Sequence, residues 1–257
     1  MSFLNPRDYY FELNRGKFSP NEAGQNFNGF SLTNTNGVAT DLWGDPGVAN
    51  LVWQTAAVNV EVLSTSANDT AAAGTKARAI QVFGVDFNLA PVSEVVLLNG
   101  VAPVALVNQY FRINRGFVVD YGTFGVRNEG NITFRVAGGG ATLAYIPAEF
   151  GRVPMTHFTV PAGKVLIPRS FAFNAESGKP SSCEFRIQTS KAGLIPPFTG
   201  YGPAQRALTV YGVEGWIDRR FEYQTPLPAG MDFWMLGIPG ANNTRMYGEW
   251  NGVLIDA

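Results

Sequence analysis

Short runs of alternating apolar and polar residues recur along the chain. In residues 51–63, Val58, Val60 and Val62 are separated by single polar residues, and a period of two is typical of a strand with one buried face. Comparable runs predict further strands over residues 79–87, 93–98, 102–107, 111–119, 131–136, 157–160, 164–167, 184–189, 208–217, 232–237 and 244–255. Turn-forming residues separate most of these runs, as in a β-sandwich or barrel.

The connections between the runs narrow the fold class. An Asn-Gly pair at 99–100 is a strong hairpin signal and predicts that residues 93–98 pair with 102–107. No stretch of ten residues has helical spacing without a Gly or Pro, and the best candidate, residues 70–79, is interrupted by Gly74. We therefore expect an all-β protein with marginal helix.

Length and break points suggest how the strands are organised. The 257 residues exceed the usual size of one domain, although an all-β sandwich can reach this length as a single unit. The pattern is broken by three glycines at 138–140 and restarts after residue 152. We expect one or two β-sandwich, jelly-roll-like units, at residues 51–150 and 151–257, preceded by an extended N-terminal arm at residues 1–50.

Composition indicates how the protein meets its neighbours. Hydrophobic residues make up 46% of the chain and charged residues only 15%, against roughly a quarter in typical proteins. A weakly charged surface does little to interrupt apolar patches that can pair with another subunit. We therefore expect extensive contacts between subunits.

The N-terminal segment is rich in Asn, Gly, Ser and Thr, yet it also carries many aromatic residues. Disordered tails are poor in aromatic residues, so an arm that becomes ordered on another surface is one interpretation, and an edge strand and loop of the same subunit is the other. The aromatic residues predicted to anchor such an arm on a partner are Phe3, Tyr9, Tyr10, Phe11 and Phe18.

Several classes of partner and compartment are disfavoured. The formal net charge is −1 and no run of Lys or Arg is long enough to neutralise a phosphate backbone, so we expect no nucleic-acid binding. The first residues lack a charged region followed by an apolar one, and no stretch reaches about 18 apolar residues, so we expect a soluble chain with no membrane role. Cys183 is the one cysteine and is predicted to be a small buried residue without a disulfide or zinc role.

Candidate chemistry is sparse. His157 is the one histidine, it lies in a strand-like run, and no Gly-x-Ser-x-Gly pattern accompanies it. We interpret it as a solvated or hydrogen-bonded strand residue. The carboxylates are scattered singly, mostly where turns use side-chain hydrogen bonds, so the sequence gives no support for a glycosidase pair. We expect no enzyme, no metal site and no cofactor.

Three further features have structural interpretations. The pair at Asn68-Asp69 is more typical of a turn stabilised by its side chains than of a cation site. The glycines at 138–140 lack the Lys and helix of a phosphate loop and indicate a turn or hinge. The five tryptophans, at 43, 53, 216, 234 and 250, are predicted to be core residues for the most part. For a sugar-binding alternative, Trp43 and Trp250 are the candidates to replace.

Several sequence phrases carry a family resemblance. They are Val60-Glu-Val-Leu-Ser-Thr-Ser-Ala-Asn-Asp continuing to Asp86, Ser93-Glu-Val-Val-Leu-Leu-Asn-Gly with Phe111-Arg-Ile-Asn, Phe158-Thr-Val-Pro-Ala-Gly-Lys, Pro226-Leu-Pro-Ala-Gly-Met-Asp and Glu249-Trp-Asn-Gly-Val-Leu-Ile-Asp. These phrases resemble a family of virion proteins from tailed bacteriophages. Together they cover most of the chain from about residue 55 onward. The resemblance implies a small structural protein present in many copies in the particle.

From this resemblance and the apolar composition we expect a phage capsid decoration or cement protein. It would form a homotrimer, contact the major capsid protein and copies of itself, and reside in the virion after assembly in the host cytoplasm. The alternative is a tail or host-attachment virion protein that binds a host glycan through exposed aromatic residues.

Overall fold

The protein is built from antiparallel β-sheets, which confirms the all-β prediction. The computed structural model describes residues 23–44, 50–72, 74–123, 127–177, 182–191, 205–213, 215–220 and 225–257, and these residues contain no helix. The strands within them are β1 (Ala23–Ser31), β2 (Thr40–Asp41), β3 (Val58–Ser64), β4 (Ala77–Val85), β5 (Pro91–Leu97), β6 (Val104–Tyr110), β7 (Arg112–Tyr121), β8 (Ile132–Val136), β9 (Thr142–Ile146), β10 (Phe158–Thr159), β11 (Lys164–Glu176), β12 (Cys183–Lys191), β13 (Gln205–Val213), β14 (Gly215–Arg220), β15 (Leu227–Pro228), β16 (Met231–Ile238) and β17 (Arg245–Asp256).

Residues 50–153, here called the inner half, form two sheets around one core. One sheet has the strand order β6-β3-β8-β9, and the other has the order β5-β4-β7. Alternate residues of both sheets point into the core, where Val60, Val62, Ile80 and Phe134 are fully buried. The predicted alternation in β3 therefore reports its buried face.

Residues 23–44 and 154–257, here called the outer half, form two further sheets around a second core. The first has the order β1-β17-β11-β14 with β15 beside β11, and the second has the order β10-β16-β12-β13 with β2 beside β16. The core is strongly aromatic. Phe173 and Phe185 stack with ring centroids 4.5 Å apart, and Phe27 stacks on Trp250 at 4.7 Å.

The predicted hairpin between residues 93–98 and 102–107 is wrong. The Asn-Gly turn is present, with Gly100 at φ 61°, but β5 pairs with β4 and β6 pairs with β3, in different sheets. Instead of a ladder, the Glu94 carboxylate accepts hydrogen bonds from the backbone N–H groups of Val107 and Asn108, at 2.7 and 3.0 Å. This arrangement lets both strands contribute to the core, since Val96 enters it from β5 and Leu106 from β6.

The segment for which we considered an arm or an edge strand is described from residue 23 onward. There, β1 is an edge strand that pairs along β17 from Ala23 opposite Leu254 to Ser31 opposite Met246. The side chain of Phe27 lies in the core of the outer half. The five predicted anchors, from Phe3 to Phe18, lie outside the described residues.

A third apolar cluster joins the two halves. It contains Trp43, Leu51, Trp53, Met155 and Trp234. Residues 51–57 were predicted to extend the strand that contains Val58, but they form no strand. They pass through this cluster, which buries Leu51 and Trp53.

The chain segment before the inner half and the segment after it lie side by side. The backbone N–H of Thr156 donates to the carbonyl of Leu42 at 3.0 Å, although the two residues are 114 positions apart. Gly29 of β1 crosses this point, and a Cβ there would collide with the Leu42 carbonyl oxygen. The close approach of three segments therefore requires glycine at this position.

Turns of the inner half depend on buried carboxylates. Asp69 is fully buried, and its two oxygens accept four hydrogen bonds of 2.6–3.2 Å. The donors are the Ser64 hydroxyl and the backbone N–H groups of Ala77, Glu129 and Gly130. The predicted turn at Asn68-Asp69 is present, and its aspartate also ties together three separate segments.

Candidate functional site

A buried polar cluster lies where the two halves meet. It consists of Arg112 from β7 of the inner half and of His157, Thr159 and Asp232 from the outer half. Asp232 is central: its Oδ2 lies 3.3 Å from Arg112 Nη2, and its Oδ1 lies 3.2 Å from His157 Nε2. The Thr159 hydroxyl donates to the same Oδ1 at 2.5 Å. All four residues are buried.

Hydrogen bonds and aromatic rings hold the guanidinium group of Arg112 in place. Its Nη1 donates to the carbonyls of Gln54 and Phe111, at 2.7 and 2.9 Å. The group also lies over the rings of Trp53 and Phe111, 5.1 and 4.2 Å from their centroids, where a cation is attracted to the ring face. Arg112 is therefore a fixed positive charge inside the protein.

Burial and charge set the protonation states of the cluster. Burial alone would raise the pKa of Asp232, but the hydrogen bond from His157, the positive charge of Arg112 and the Thr159 hydroxyl hold it below its usual value. Burial lowers the pKa of His157, and Asp232 opposes that shift only in part. At neutral pH the cluster therefore contains an Arg112–Asp232 ion pair and a neutral His157.

A threonine, a histidine and an aspartate also occur together in nucleophilic triads, but the geometry here is different. In a triad the hydroxyl donates to one imidazole nitrogen and the acid binds the other. Here Asp232 and Thr159 both contact Nε2 of His157, and the hydroxyl donates to the carboxylate. The adjoining cavity, lined by Trp53, Arg112 and His157 among others, has a volume of about 20 Å³, which is room for about one water molecule. The cluster links the two halves.

A second buried carboxyl lies beside the cluster of tryptophans. Asp41 in β2 accepts a hydrogen bond from the backbone N–H of Leu51 at 2.8 Å. Its other oxygen has no hydrogen bond of normal geometry, although the Trp234 indole is close enough to lower the pKa. Burial outweighs both effects and raises the pKa of Asp41 to about 7.

An open groove, here called the aromatic groove, lies on the outer half. Phe30, Trp216 and Tyr247 line it from the outward face of the sheet that contains β1, β17 and β14, and Phe150 lines it from the inner half. Its volume is about 580 Å³, within the range of small-molecule sites. The Phe30 ring lies 5.3 Å from that of Phe150 and 6.1 Å from that of Tyr247.

Polar side chains line the aromatic groove together with these rings. They are Asn28, Asn174, Glu176 and Glu249. Glu249 accepts a hydrogen bond from the Asn26 amide, and Glu176 accepts one from the Asn174 amide, both at 3.2 Å. Each carboxylate keeps further capacity to accept hydrogen bonds from a ligand.

Four aliphatic side chains of the inner half are exposed. Val95, Leu97, Val101 and Val107, here called the aliphatic edge, are exposed on β5, β6 and the turn between them. Val107 is 92% exposed. The core of the inner half makes no use of these side chains, which makes them available for contacts with another molecule.

The burial of the tryptophans differs from what the sugar-binding hypothesis requires. Trp43 and Trp250, named there as the residues to replace, are fully buried, as is Trp234, and Trp53 is buried to a slightly smaller extent. The prediction that most tryptophans are core residues is confirmed. Trp216 is the exception, at 62% exposure. Its sequence context gave no clear signal, because Trp250 is fully buried although Glu249 and Asn251 flank it.

The remaining site predictions can be located. Cys183 is buried in the core of the outer half, as predicted. His157 is hydrogen-bonded, as predicted, but is buried rather than solvated. Within the described ranges there is no group of three or more His, Cys, Asp or Glu residues placed to hold a metal ion. The described residues also form no helix that is long and apolar enough to cross a membrane.

Comparison with known proteins gives little. No family model and no curated protein matches the chain. A solved structure entitled "Structure of infectious bursal disease virus Gx strain" is similar over 92% of this chain and 73% of its own, at 8% identity and a TM-score of 0.20. A likeness this weak carries no argument about fold or function.

Proposed function

We propose that this chain is a structural component of a bacteriophage particle, a capsid decoration or cement protein that stabilises the shell through contacts between subunits. Its partners would be the major capsid protein and copies of itself in a homotrimer. The finer fold is part of the proposal: each half, with two antiparallel sheets around one core, would be a β-sandwich unit of jelly-roll type. The resemblance of its sequence phrases to tailed-phage virion proteins supports this assignment.

The observation that carries the proposal is the aliphatic edge. Three valines and a leucine are exposed to water on adjacent strands, and β5 and β6 are the outermost strands of their sheets. Burial of apolar area is worth roughly 25 cal/mol per Å², and each contact recurs at every copy in a shell. Such a surface is suited to subunit contacts, not to catalysis.

The copy number of this chain in purified particles tests the location. Quantitative mass spectrometry would measure the molar ratio of this chain to the major shell protein. A decoration protein should be present at a ratio of about one, or about one third. A ratio of a few per cent would instead favour the tail or a unique vertex, and absence from particles would refute the virion assignment.

The subunit contact can be tested separately by V107E. Val107 is almost fully exposed, so the substitution should leave the unfolding free energy within about 0.5 kcal/mol of the native value. Sedimentation analysis should show that the variant has lost the native oligomer. V38E is the matched control, since Val38 is an exposed valine of the outer half. Equal oligomerisation of both variants would exclude the aliphatic edge as the contact.

The arm prediction leads to a truncation experiment. Removal of residues 1–22 keeps β1, whose Phe27 belongs to the core. If Phe3, Tyr9, Tyr10, Phe11 and Phe18 anchor the chain on the shell, the truncated protein should fold and fail to coat particles. Unchanged coating would refute the arm hypothesis and leave the aliphatic edge untouched.

The alternative, a tail or host-attachment protein that binds a glycan, has one structural observation in its favour. Trp216 is an exposed aromatic residue in an open groove, which is the feature that the alternative requires. A low copy number in particles would make it the leading hypothesis.

A further inference from the structure

Aromatic side chains form one transverse row on the outward face of the outer half. Cross-strand pairing places Phe30 opposite Tyr247, Tyr247 opposite Asn174, and Asn174 opposite Trp216. Four neighbouring strands, β1, β17, β11 and β14, therefore each contribute one side chain to the row. Since adjacent strands are about 4.8 Å apart, the backbones of Phe30 and Trp216 are separated by roughly 14 Å.

A polar row runs beside the aromatic one. Asn28 lies opposite Glu249, Glu249 lies opposite Ala172, and Ala172 lies opposite Asp218. The small Ala172 side chain is buried, so the middle of this row has no projecting side chain. The amide and carboxylate groups therefore lie two residues along the strands from the aromatic row.

The inner half supplies one wall. Pro147, Ala148 and Phe150 line the same groove, and the Phe150 ring meets that of Phe30 edge to face at 5.3 Å. Arg152 stacks its guanidinium over Phe150, 5.8 Å from the centroid. Both halves therefore form the groove, which lies at the boundary between them, and ligand sites commonly occur at such boundaries.

We propose that the aromatic groove binds an oligosaccharide composed of neutral or amino sugars. One face of a pyranose ring presents C–H groups that pack on aromatic rings, and its edge presents hydroxyls that hydrogen-bond to amides and carboxylates. A row of rings beside a row of amides and carboxylates matches both requirements. Its length exceeds one sugar ring, which indicates a short chain and not a monosaccharide.

The charge of the groove-lining residues restricts which sugars can bind. Among the described lining residues there are two carboxylates, Glu176 and Glu249, and no Lys or Arg. Acidic polysaccharides and nucleic acids would meet like charge there. A purely apolar partner such as a lipid chain would leave the amides and carboxylates without hydrogen bonds. The proposal does not depend on the virion role and can be tested on the purified protein.

The fluorescence of Trp216 reports binding. The other four tryptophans are buried, so iodide quenches mainly the fluorescence of Trp216. The probes are purified oligosaccharides from bacterial surfaces, immobilised on an array and then added in solution, with neutral, N-acetylated and uronic-acid members. We expect binding of neutral or amino-sugar members, protection of Trp216 from iodide, and weak or no binding of uronic acids.

Matched variants locate the binding. W216A and Y247A should each weaken binding by about tenfold or more, because each removes a ring from the row. Y211A is the control, since Tyr211 is 68% exposed on β13 and does not line the groove. Circular dichroism should show that all three fold, and N174A provides a second, smaller truncation in the same row.

Three outcomes would overturn the proposal. One is that no oligosaccharide on the array binds or protects Trp216. Another is that binding persists in W216A and Y247A. The third is that W216A changes the oligomeric state without any sugar binding, which would show that a protein subunit occupies the groove.

Discussion

Replacing Asp232 with asparagine should destabilise the protein by a large fraction of its folding free energy. Asp232 is the carboxylate that pairs with Arg112 among the described residues, and the exposed fractions of the two side chains are 0% and 5%. The guanidinium cannot lose its proton in a protein. In D232N, Arg112 therefore stays charged and buried without its counter-ion.

The expected magnitude follows from the burial of the pair. Removing one partner of a buried ion pair costs about 3–5 kcal/mol, because the remaining charge is uncompensated. Folded domains are stable by only about 5–15 kcal/mol. The Thr159 hydroxyl and the His157 ring also lose a charged acceptor, so we expect the upper part of the range.

Denaturant unfolding, followed by circular dichroism and tryptophan fluorescence, measures this cost. The partly exposed pair Arg135–Glu61, with side chains 28% and 12% exposed, gives a control: R135M should cost about 1 kcal/mol or less. The double variant R112M/D232N should be more stable than the sum of the single effects predicts, since it removes both charges together. A cost below about 1 kcal/mol for D232N, or additive single effects, would refute the reasoning.

The pH dependence of R112M gives a second check. Arg112 contributes to the low pKa of His157, so its removal raises that pKa while Asp232 remains as an unpaired carboxylate. As the pH falls, the imidazole of the variant binds a proton more readily than that of the native protein and replaces part of the missing positive charge. The cost of R112M should thus be smaller at about pH 5.5 than at about pH 8, and an equal cost at both values would contradict the assigned protonation states.

Three further substitutions test separate features. D69N should cost about 3 kcal/mol in denaturant unfolding, because both oxygens of Asp69 accept hydrogen bonds and the amide nitrogen that replaces one of them cannot, whereas D86N in an exposed turn should cost much less. Asp41 has a pKa of about 7 in the folded protein and 3.8 ordinarily, so stability should fall as the pH rises from about 4 through 7, and less steeply in D41N. G29A should lower the melting temperature, with a cost of about 2 kcal/mol or more, because its Cβ meets backbone atoms of Leu42.

Alternation in the sequence predicted several strands that have one solvent-exposed face. In β3, Val60 is buried while the neighbouring Asn59 is exposed, and this contrast is what an alternating pattern records. β9 was missed because Leu143 to Ile146 are all buried, which leaves no alternation to detect.

Contacts between distant positions left no local signal. The Asn-Gly turn at 99–100 was found, but the sheet to which each flanking strand belongs depends on partners elsewhere in the chain. Likewise, nothing near His157 indicates that Asp232, 75 residues away, completes a buried cluster with it. Asn174, Trp216 and Tyr247 could be placed in one row only once the register of the strands was known.

The meeting of Leu42 with Thr156 has a consequence for the order of folding. A closed loop becomes costlier with length, roughly as (3/2)RT ln n, and contacts across a long separation slow folding. The inner half is continuous in sequence and can collapse by itself, after which its two ends are already adjacent. The outer half must instead join segments as far apart as Asn26 and Glu249, which are separated by 223 positions. A chain emerging from the ribosome would therefore carry β1 and β2 as unpaired strands, open to association with other chains, until β16 and β17 have been synthesised.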